Sequence, residues 1–235
     1  MSSQKLHPAQ ASMLRDLRHT PELRYTQLRI PTELESDIFK FHLRKLVHLG
    51  YVQHTPSGVY SLTIAGKEFA NNIDAAARSV QKQPKLSMAI VISRDHDGQR
   101  EYLFQKRLRQ PFYGYWGCLS GPVRWGQMIE AAAMQEIKKQ TGLTLTCEVR
   151  GFCKQSDYDQ QSGDLLEDKL FAVVLAPYTD GEVNHTWSKG EHVWMTAEEL
   201  CRQEYFFLSS KALITIAEQS IPYTTLETDY QASEY

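Results

Sequence analysis

The chain has 235 residues, a net charge of −2 and 42% hydrophobic residues, which suits two globular domains with buried cores. No stretch approaches the roughly 20 apolar residues of a membrane span, and the N-terminus "MSSQKLHPAQ" lacks the apolar core of a secretion signal. The four cysteines are scattered without a C-x-x-C pair. That spacing argues against a zinc knuckle or a redox motif and favours a reducing, cytoplasmic setting.

Charge is distributed unevenly along the chain. Residues 1–84 carry 11 Lys and Arg against 7 Asp and Glu, whereas the remainder carries 15 against 21. A basic module joined to an acidic one is expected when only the first meets a polyanion. A random distribution of surface charge produces an imbalance of the same size, so charge alone does not decide the matter.

The first 74 residues predict helices and a hairpin. Apolar residues at helical spacing follow Pro8, "YTQLRI" suggests a short second helix, and a longer helix runs through "SDIFKFHLRKLVHL" to Gly50, its start capped by Ser36 or Asp37. "YVQH" and "VYSL" then indicate two strands around the turn "TPSG", and a closing helix begins after Thr63. This order, and the passage "FHLRKLVHLGYV", resembles the winged helix-turn-helix of bacterial regulators.

The resemblance implies DNA binding by the longer helix. If Phe39, Leu43 and Leu46 point inward, the opposite face presents basic side chains to phosphates or base edges. Phe41 would contact a thymine methyl or, alternatively, pack on a neighbouring domain or subunit. Winged helices also serve as protein-interaction or dimerisation domains, and two acidic residues near the helix start weaken the case for DNA. The candidate DNA-binding residues are Ser36, Lys40, Phe41, Arg44 and Lys45.

A second domain begins after a linker. "LSMAIVIS" and "EYLFQKRL" predict two strands separated by a turn at Asp97-Gly98. Gly121 then opens "GPVRWGQMIEAAAMQEIKKQTGL", which resembles the Nudix hydrolase box G-x5-E-x7-R-E-U-x-E-E-x-G-U, where U is aliphatic. This resemblance implies an α/β/α sandwich with a mixed sheet. We therefore predict an α+β protein composed of a winged helix (1–74), a linker (75–85), a Nudix-like domain (86–220) and a surface or mobile tail (221–235).

The box lacks most of its acidic residues. In Nudix enzymes, glutamates on one helix face bind the Mg²⁺ that grips a diphosphate and activates water. Here Gln127 and Gln135 replace the first Glu and the Arg, Glu136 is retained, and Lys139 and Gln140 replace the last two glutamates. Charges about 4 Å apart interact by roughly 4 kcal/mol at an effective dielectric near 20, and repulsion of a divalent ion by Lys139 is about twice that. We predict no metal or cofactor, with Glu136 as the one retained catalytic carboxylate.

The sequence favours a cytoplasmic, DNA-binding transcription regulator, acting as a homodimer, whose Nudix domain senses a nucleotide-like phosphate ligand. Known Nudix-related regulators carry the two domains in the opposite order. Lys139 would replace the missing cation and pair with Glu136, or it is a solvated charge beside a vestigial pocket. The candidate ligand-binding residues are Lys139, Gln140, Gln127, Arg124, Lys106, Arg107 and Trp116.

Two other functions stay open. The alternative is a Nudix hydrolase that cleaves a nucleoside diphosphate derivative with Mg²⁺ held by Glu136 and by Glu167 or Asp168. A third possibility is a purely structural or protein-binding module.

Overall fold

The computed structural model describes residues 6–29, 34–74, 79–80, 83–231 and 233–235. Contacts divide the chain into two units, Met1–Gln83 and Pro84–Tyr235. The division lies inside the segment 75–85 that the sequence suggests as a linker, of which 75–78, 81 and 82 are outside the described residues. No helix in the described part of the chain is long and apolar enough to cross a membrane.

The N-terminal unit contains the helices and the hairpin in the order that the sequence predicts. Its helices are α1 (Pro8–His19), α2 (Tyr25–Arg29), α3 (Ser36–His48) and α4 (Ile64–Asn71). Strands β1 (Leu23–Arg24), β2 (Val52–His54) and β3 (Val59–Leu62) form an antiparallel sheet in the order β1-β3-β2. A further short pair consists of β4 (Ile73–Asp74) and β5 (Ser79–Val80).

Helix α3 packs with the face that its apolar spacing predicts. Phe39, Leu43 and Leu46 are buried in the core of this unit, together with residues of α1 and the hairpin. The predicted cap is wrong, because Glu35 precedes the first helical residue and no side-chain cap hydrogen bond forms at that end. The Ser36 hydroxyl instead lies 3.2 Å from the Tyr25 hydroxyl, which ties α3 to α2.

The C-terminal unit is built on an eight-stranded mixed sheet in the order β11-β12-β7-β8-β6-β10-β9-β13. The β6–β10 and β9–β13 pairs are parallel, and the other main pairs are antiparallel. Its strands are β6 (Lys85–His96), β7 (Gln99–Arg107), β8 (Trp116–Pro122), β9 (Glu148–Asp159), β10 (Leu165–Pro177), β11 (Thr186–Trp187), β12 (Gly190–Met195) and β13 (Tyr223–Tyr230). Its helices are α5 (Ile129–Thr141), α6 (Ala197–Leu200) and α7 (Ser209–Gln219).

The sheet is covered by helices on both faces. Alternate residues of a strand point to opposite faces, so Met88 and Ile90 of β6 pack in one core with α5. Ala89 and Val91 of the same strand pack in a second core with α7. The protein is therefore α+β, and this unit is the predicted α/β/α sandwich with a mixed sheet.

The segment 221–235, expected to wrap the surface or to stay mobile, contains a strand. Within it, β13 runs parallel to β9 and completes one edge of the sheet. The Thr228 hydroxyl donates a 3.0 Å hydrogen bond to the buried Asp157 carboxylate. The buried Tyr230 packs against Phe112, with ring centroids 4.7 Å apart. Pairing with β9 and these side-chain contacts order a segment whose own sequence shows no clear period.

Candidate functional site

Glu136 of α5 receives hydrogen bonds from the two residues that replace the last pair of glutamates in the box, Lys139 and Gln140. The Lys139 ammonium lies 3.0 and 3.2 Å from the two carboxylate oxygens, and Gln140 Nε2 donates to one of them at 3.0 Å. The carboxylate is buried against Gly121, where an added Cβ would come within 2.7 Å of Glu136 Cγ. The ion pair suggested by the i, i+3 spacing is therefore present, and every one of these contacts is an N–H donor.

These donors keep Glu136 ionised. Burial would raise the pKa of the Glu136 carboxyl, but the hydrogen bonds from Gln140 and Lys139 and the positive charges of Lys139 and Arg124 lower it below its usual value. Magnesium prefers several oxygen ligands in octahedral geometry. A carboxylate surrounded by an ammonium and an amide N–H does not fit that ion. Among the described residues, no group of three or more His, Cys, Asp or Glu side chains is placed to hold a metal ion.

The oxygen of Gln140 is also unable to replace a lost carboxylate, because it is held by a buried polar chain. Gln140 uses Nε2 on Ser120 O as well as on Glu136, and its Oε1 accepts from Gln105 Nε2 at 3.0 Å. Gln105 Nε2 also lies 3.0 Å from His192 Nε2. The two hydrogens of this amide therefore serve Gln140 and the histidine ring.

The hydrogen bonds that link Gln140, Gln105 and His192 also fix the tautomer of the histidine ring. Its Nδ1 lies 2.9 Å from Asn184 O, and a carbonyl oxygen only accepts, so Nδ1 carries the proton. Nε2 is then the acceptor for Gln105. Burial lowers the pKa of His192, consistent with a neutral ring. The Glu136 carboxylate at one end of this hydrogen-bonded series and Asn184 O at the other therefore set the orientation of the side chains between them.

A cavity of about 350 Å³ lies on the other side of the sheet, beneath α7. Its floor comes from β6, β8, β9 and β10, and its rim from the segment after β7. The wall is partly aromatic and partly polar, a composition common in sites for small molecules. Its lining includes Arg107, Phe171, Phe207, Gln155, Ser209 and Ser210.

One end of this cavity contains a buried carboxylate network. Glu167 accepts from Lys85 at 3.0 Å and from Tyr235 at 2.8 Å, and Lys169 lies 3.0 Å away. Burial would raise the pKa of Glu167, but the charge of Lys169 and these hydrogen bonds lower it to about 2. Asp168, its neighbour in sequence, points to the opposite face and is bonded by Lys154. Lysines therefore engage each of the two acids that the hydrolase alternative offers as a further metal ligand.

The cavity also contains Arg107, which the negative charge of Glu167 influences without forming an ion pair with it. Arg107 Nε donates to Pro111 O at 3.1 Å, and burial, with the nearby charge of Arg109, lowers the pKa of its guanidinium to about 10. Within the described residues, Arg107 forms no ion pair with an acidic side chain. The nearby Cys118 thiol also lines the cavity, and burial raises its pKa to about 12, so it is not a nucleophile at neutral pH.

The predicted ligand-binding residues, all in the described part of the chain, lie in more than one place. Arg107 lines the cavity, and Gln140 reaches its lining through Ser120, whereas the other five do not line it. Lys139 pairs with Glu136, Arg124 and Gln127 form a loop joined by a 3.1 Å hydrogen bond, and the Lys106 ammonium lies 5.9 Å from the centre of the Trp116 ring. Sequence reasoning missed Gln155, Ser209 and Ser210, because no motif marks them.

The predicted DNA-binding residues lie on the outer face of α3. Lys40, Phe41, Arg44 and Lys45 are exposed, whereas Ser36 is half-buried against α2. Lys40 forms an ion pair with Asp37 at 3.3 Å, which reduces its free charge. A groove of about 590 Å³ runs between this helix and the hairpin. It is lined by Tyr25, Lys40, Leu43, Arg44, Val47, His48, His54 and Tyr60.

Comparison with known proteins concerns the C-terminal unit. The family model of the NUDIX domain matches residues 84–214. The NUDIX domain of Shewanella oneidensis NrtR, solved in complex with ADP ribose, is 20% identical; the match covers 67% of this chain and 98% of that one, with a TM-score of 0.50. The MutT protein from Bacillus halodurans is 18% identical over 64% of this chain and 93% of its own, with a TM-score of 0.50. At these identities the likeness concerns the fold. No curated protein matches the chain.

Proposed function

The chain belongs to the NUDIX domain family, and we propose that it is a transcription regulator whose NUDIX domain binds a nucleotide-like phosphate compound. In this proposal the N-terminal unit is a winged helix that binds DNA in the cytoplasm, as a homodimer on paired half-sites. The ligand would regulate DNA binding only if its affinity differs between two states of the protein.

One observation carries the choice of a sensor over a hydrolase. Lys139 and Gln140, which replace the last two glutamates of the box, direct N–H groups at Glu136, so the helix supplies hydrogen-bond donors where a divalent cation needs oxygen ligands. The positive charge of Lys139 and Arg124 would attract a phosphate to this end of the domain without a metal ion. Arg107 offers a further positive charge inside the cavity beneath α7.

The case for DNA rests on the N-terminal unit. Exposed Arg44 and Lys45 lie together on α3, and the groove beside that helix contains two histidines and Lys40. Basic side chains on one helix face supply the phosphate contacts that give DNA binding its affinity. Phe41, which is 62% exposed, is an apolar group on the same face, suited to a thymine methyl.

Calorimetry with ADP-ribose tests the ligand role. This compound is the probe because it was solved bound to the NUDIX domain of NrtR. We expect the full chain to bind ADP-ribose equally with and without Mg²⁺ and to leave it intact. Binding that requires Mg²⁺, or hydrolysis that Glu136→Gln abolishes, would contradict the proposal and favour the hydrolase.

Gel-shift titration with a pool of random-sequence double-stranded DNA tests the second role. We expect binding that weakens steeply as salt is raised, with selection of a preferred sequence over successive rounds. Failure to retain any DNA at low salt would leave a ligand-binding or protein-binding module and exclude the regulator.

A further inference from the structure

The eight-stranded sheet ends on an open strand, β13. This strand pairs with β9 over eight residues, from Tyr223 opposite Phe152 to Tyr230 opposite Asp159, without a register shift. Its sequence, YTTLETDY, contains no proline or lysine, which are residues that protect exposed strand edges in other proteins. At the opposite end of the sheet, β11 has only two residues. The open side of β13 is therefore long and regular, as expected of a surface that pairs with another strand.

Alternate residues of β13 direct their backbone groups away from the sheet. Pro222 O accepts a hydrogen bond from Phe152 N at 3.0 Å, and Tyr230 O accepts one from Gln160 N at 2.9 Å. Because consecutive residues of a strand point their N–H and C=O groups to opposite sides, the even-numbered residues face β9 and the odd-numbered residues face outward. Within the described chain, no other strand pairs with that outer side. The outward groups belong to Tyr223, Thr225, Glu227 and Asp229.

The side chains of these four residues lie on one exposed face of the strand. The side chains between them point to the other face, where Leu226 packs against the core beneath α7 and Thr228 bonds to the buried Asp157. Along the exposed face, two hydroxyl groups are followed by two carboxylates. They belong, in order, to Tyr223, Thr225, Glu227 and Asp229. The first half of the strand therefore offers hydrogen-bond donors and the second half offers acceptors.

A strand with this order of groups is complementary to a second copy of itself in antiparallel orientation. When the twofold axis passes through Leu226, Thr225 lies opposite Glu227 of the other copy. Tyr223 then lies opposite Asp229 of the other copy. Both pairs join outward-facing residues, which exchange two backbone hydrogen bonds in an antiparallel ladder. Side chains opposite each other on one face have Cβ atoms roughly 5 Å apart, so each hydroxyl can donate to the carboxylate that it faces.

The neighbouring registers are less favourable. An axis at Glu227 would place that carboxylate directly opposite its own copy, and like charges directly opposite destabilise a sheet. An axis at Thr225 would leave Asp229 opposite Ile221, which lies outside β13. With the axis at Leu226, the two Glu227 carboxylates are diagonal neighbours roughly 7–8 Å apart, and the solvent that reaches both weakens their repulsion.

We propose that two copies of this chain pair through β13 in antiparallel orientation, with the twofold axis at Leu226, so that two eight-stranded sheets form one continuous sheet. The homodimer is part of the proposed function, on which this inference rests in that respect, and β13 supplies its interface. Each copy contributes the same strand, so the assembly is closed at two copies.

Sedimentation equilibrium of the full chain measures the dissociation constant of this dimer. We expect the wild type to dimerise. Thr225→Glu places a carboxylate opposite Glu227 twice in each dimer, so its dissociation constant should be about tenfold larger. Adding Glu227→Lys should restore the wild-type value, because the carboxylate at position 225 then faces an ammonium. Thr179→Glu makes the same change at an exposed residue after β10 and should have no effect.

The possible failures of this experiment have different meanings. If the wild type and Thr225→Glu dimerise equally, another surface holds the homodimer, which survives, and the β13 interface is wrong. If Thr225→Glu weakens the dimer and Glu227→Lys does not restore it, the proposed pairing of the two strands is wrong. A monomeric wild type would refute both the interface and the homodimer, whereas binding of ADP-ribose and of DNA is decided by their own titrations.

Amide hydrogen exchange, resolved to single residues, locates the pairing on the strand. At protein concentrations above the dissociation constant, the N–H groups of Thr225 and Glu227 should exchange slowly, and after dilution below it they should exchange fast. The N–H groups of Thr224 and Leu226, which face β9, should exchange slowly at both concentrations. Equal exchange of the outward N–H groups at the two concentrations would overturn the proposal.

Discussion

Replacing Lys139 by glutamate should create a weak metal site at the Glu136 carboxylate, which accepts hydrogen bonds from Lys139 and Gln140 in the wild type. In the wild type the Lys139 ammonium lies 3.0 and 3.2 Å from the Glu136 oxygens, where a divalent cation would otherwise sit. Lys139→Glu removes that ammonium and adds a second carboxylate one helical turn from the first. Adding Gln140→Glu supplies a third carboxylate, which Gln105 still stabilises by donating its N–H.

The size of the effect follows from the positions and the exposure of these groups. A carboxylate at position 139 would lie within about 4 Å of a cation bound to Glu136. Lys139 is 52% exposed, so the interaction is close to its value in water, about 1 kcal/mol for a unit pair and about 2 kcal/mol for a divalent ion. The flexible Lys139 side chain of the wild type can turn away from a cation at Glu136, so the repulsion between them adds nothing to this difference in binding free energy. We therefore expect about 30-fold tighter binding of a divalent ion by the single variant.

Titration with Mn²⁺, followed by the loss of the free-ion signal in electron paramagnetic resonance, measures this affinity directly. Lys138→Glu is the matched control, since it makes the same charge change at a neighbouring residue whose ammonium contacts Gly142 O and Thr144 instead. If Lys138→Glu gains as much affinity, the effect is one of net charge. If the wild type already binds Mn²⁺ as tightly as Lys139→Glu, the interpretation of the helix as a metal-free site is wrong.

Three further outcomes are expected. The pKa of Glu167 falls from 4.5 to about 2 on folding, so the ionised carboxylate stabilises the fold by about 3 kcal/mol above pH 4.5, and this is lost as pH falls towards 2. Urea unfolding measures the free energy of unfolding at pH 7 and at pH 3, and the difference between the two should be smaller in Glu167→Gln than in the wild type. An equal difference in the two proteins would count against the network around Glu167. Nitrogen-15 NMR at pH 6 should find His192 neutral with its proton on Nδ1, whereas a doubly protonated ring would rule out the chain through Gln105. Arg44→Ala should weaken DNA binding and reduce its salt dependence by about one phosphate contact, and a gel shift identical to the wild type would remove Arg44 from the interface.

The spacing of residues along the sequence was enough to predict helix α3 and the ion pair between Glu136 and Lys139. The helical spacing of Phe39, Leu43 and Leu46 identified the buried face of α3, because one helix face is enough to reveal it. The i, i+3 spacing likewise placed Lys139 beside Glu136. Each of these inferences needs only residues within a few turns of one helix.

The cavity could not be predicted in this way, because its wall is assembled from distant segments. Lys85 and Glu167 are 82 positions apart in sequence and meet only because β6 and β10 are parallel neighbours. Gln155 of β9 and Ser210 of α7 line the same cavity although they are far apart in the sequence. The sequence therefore indicated the altered chemistry of α5 but not the space that a ligand would occupy.

The parallel pairing of β13 with β9 determines where this chain can be shortened. A fragment that stops at residue 220 would expose the N–H and C=O groups along Phe152–Asp159, which β13 pairs with in the intact chain. It would also take the Thr228 hydroxyl from the buried Asp157. An open strand edge of that length is a template for other chains, so such a fragment should aggregate during purification, while a fragment that keeps Tyr223–Tyr230 should stay monodisperse.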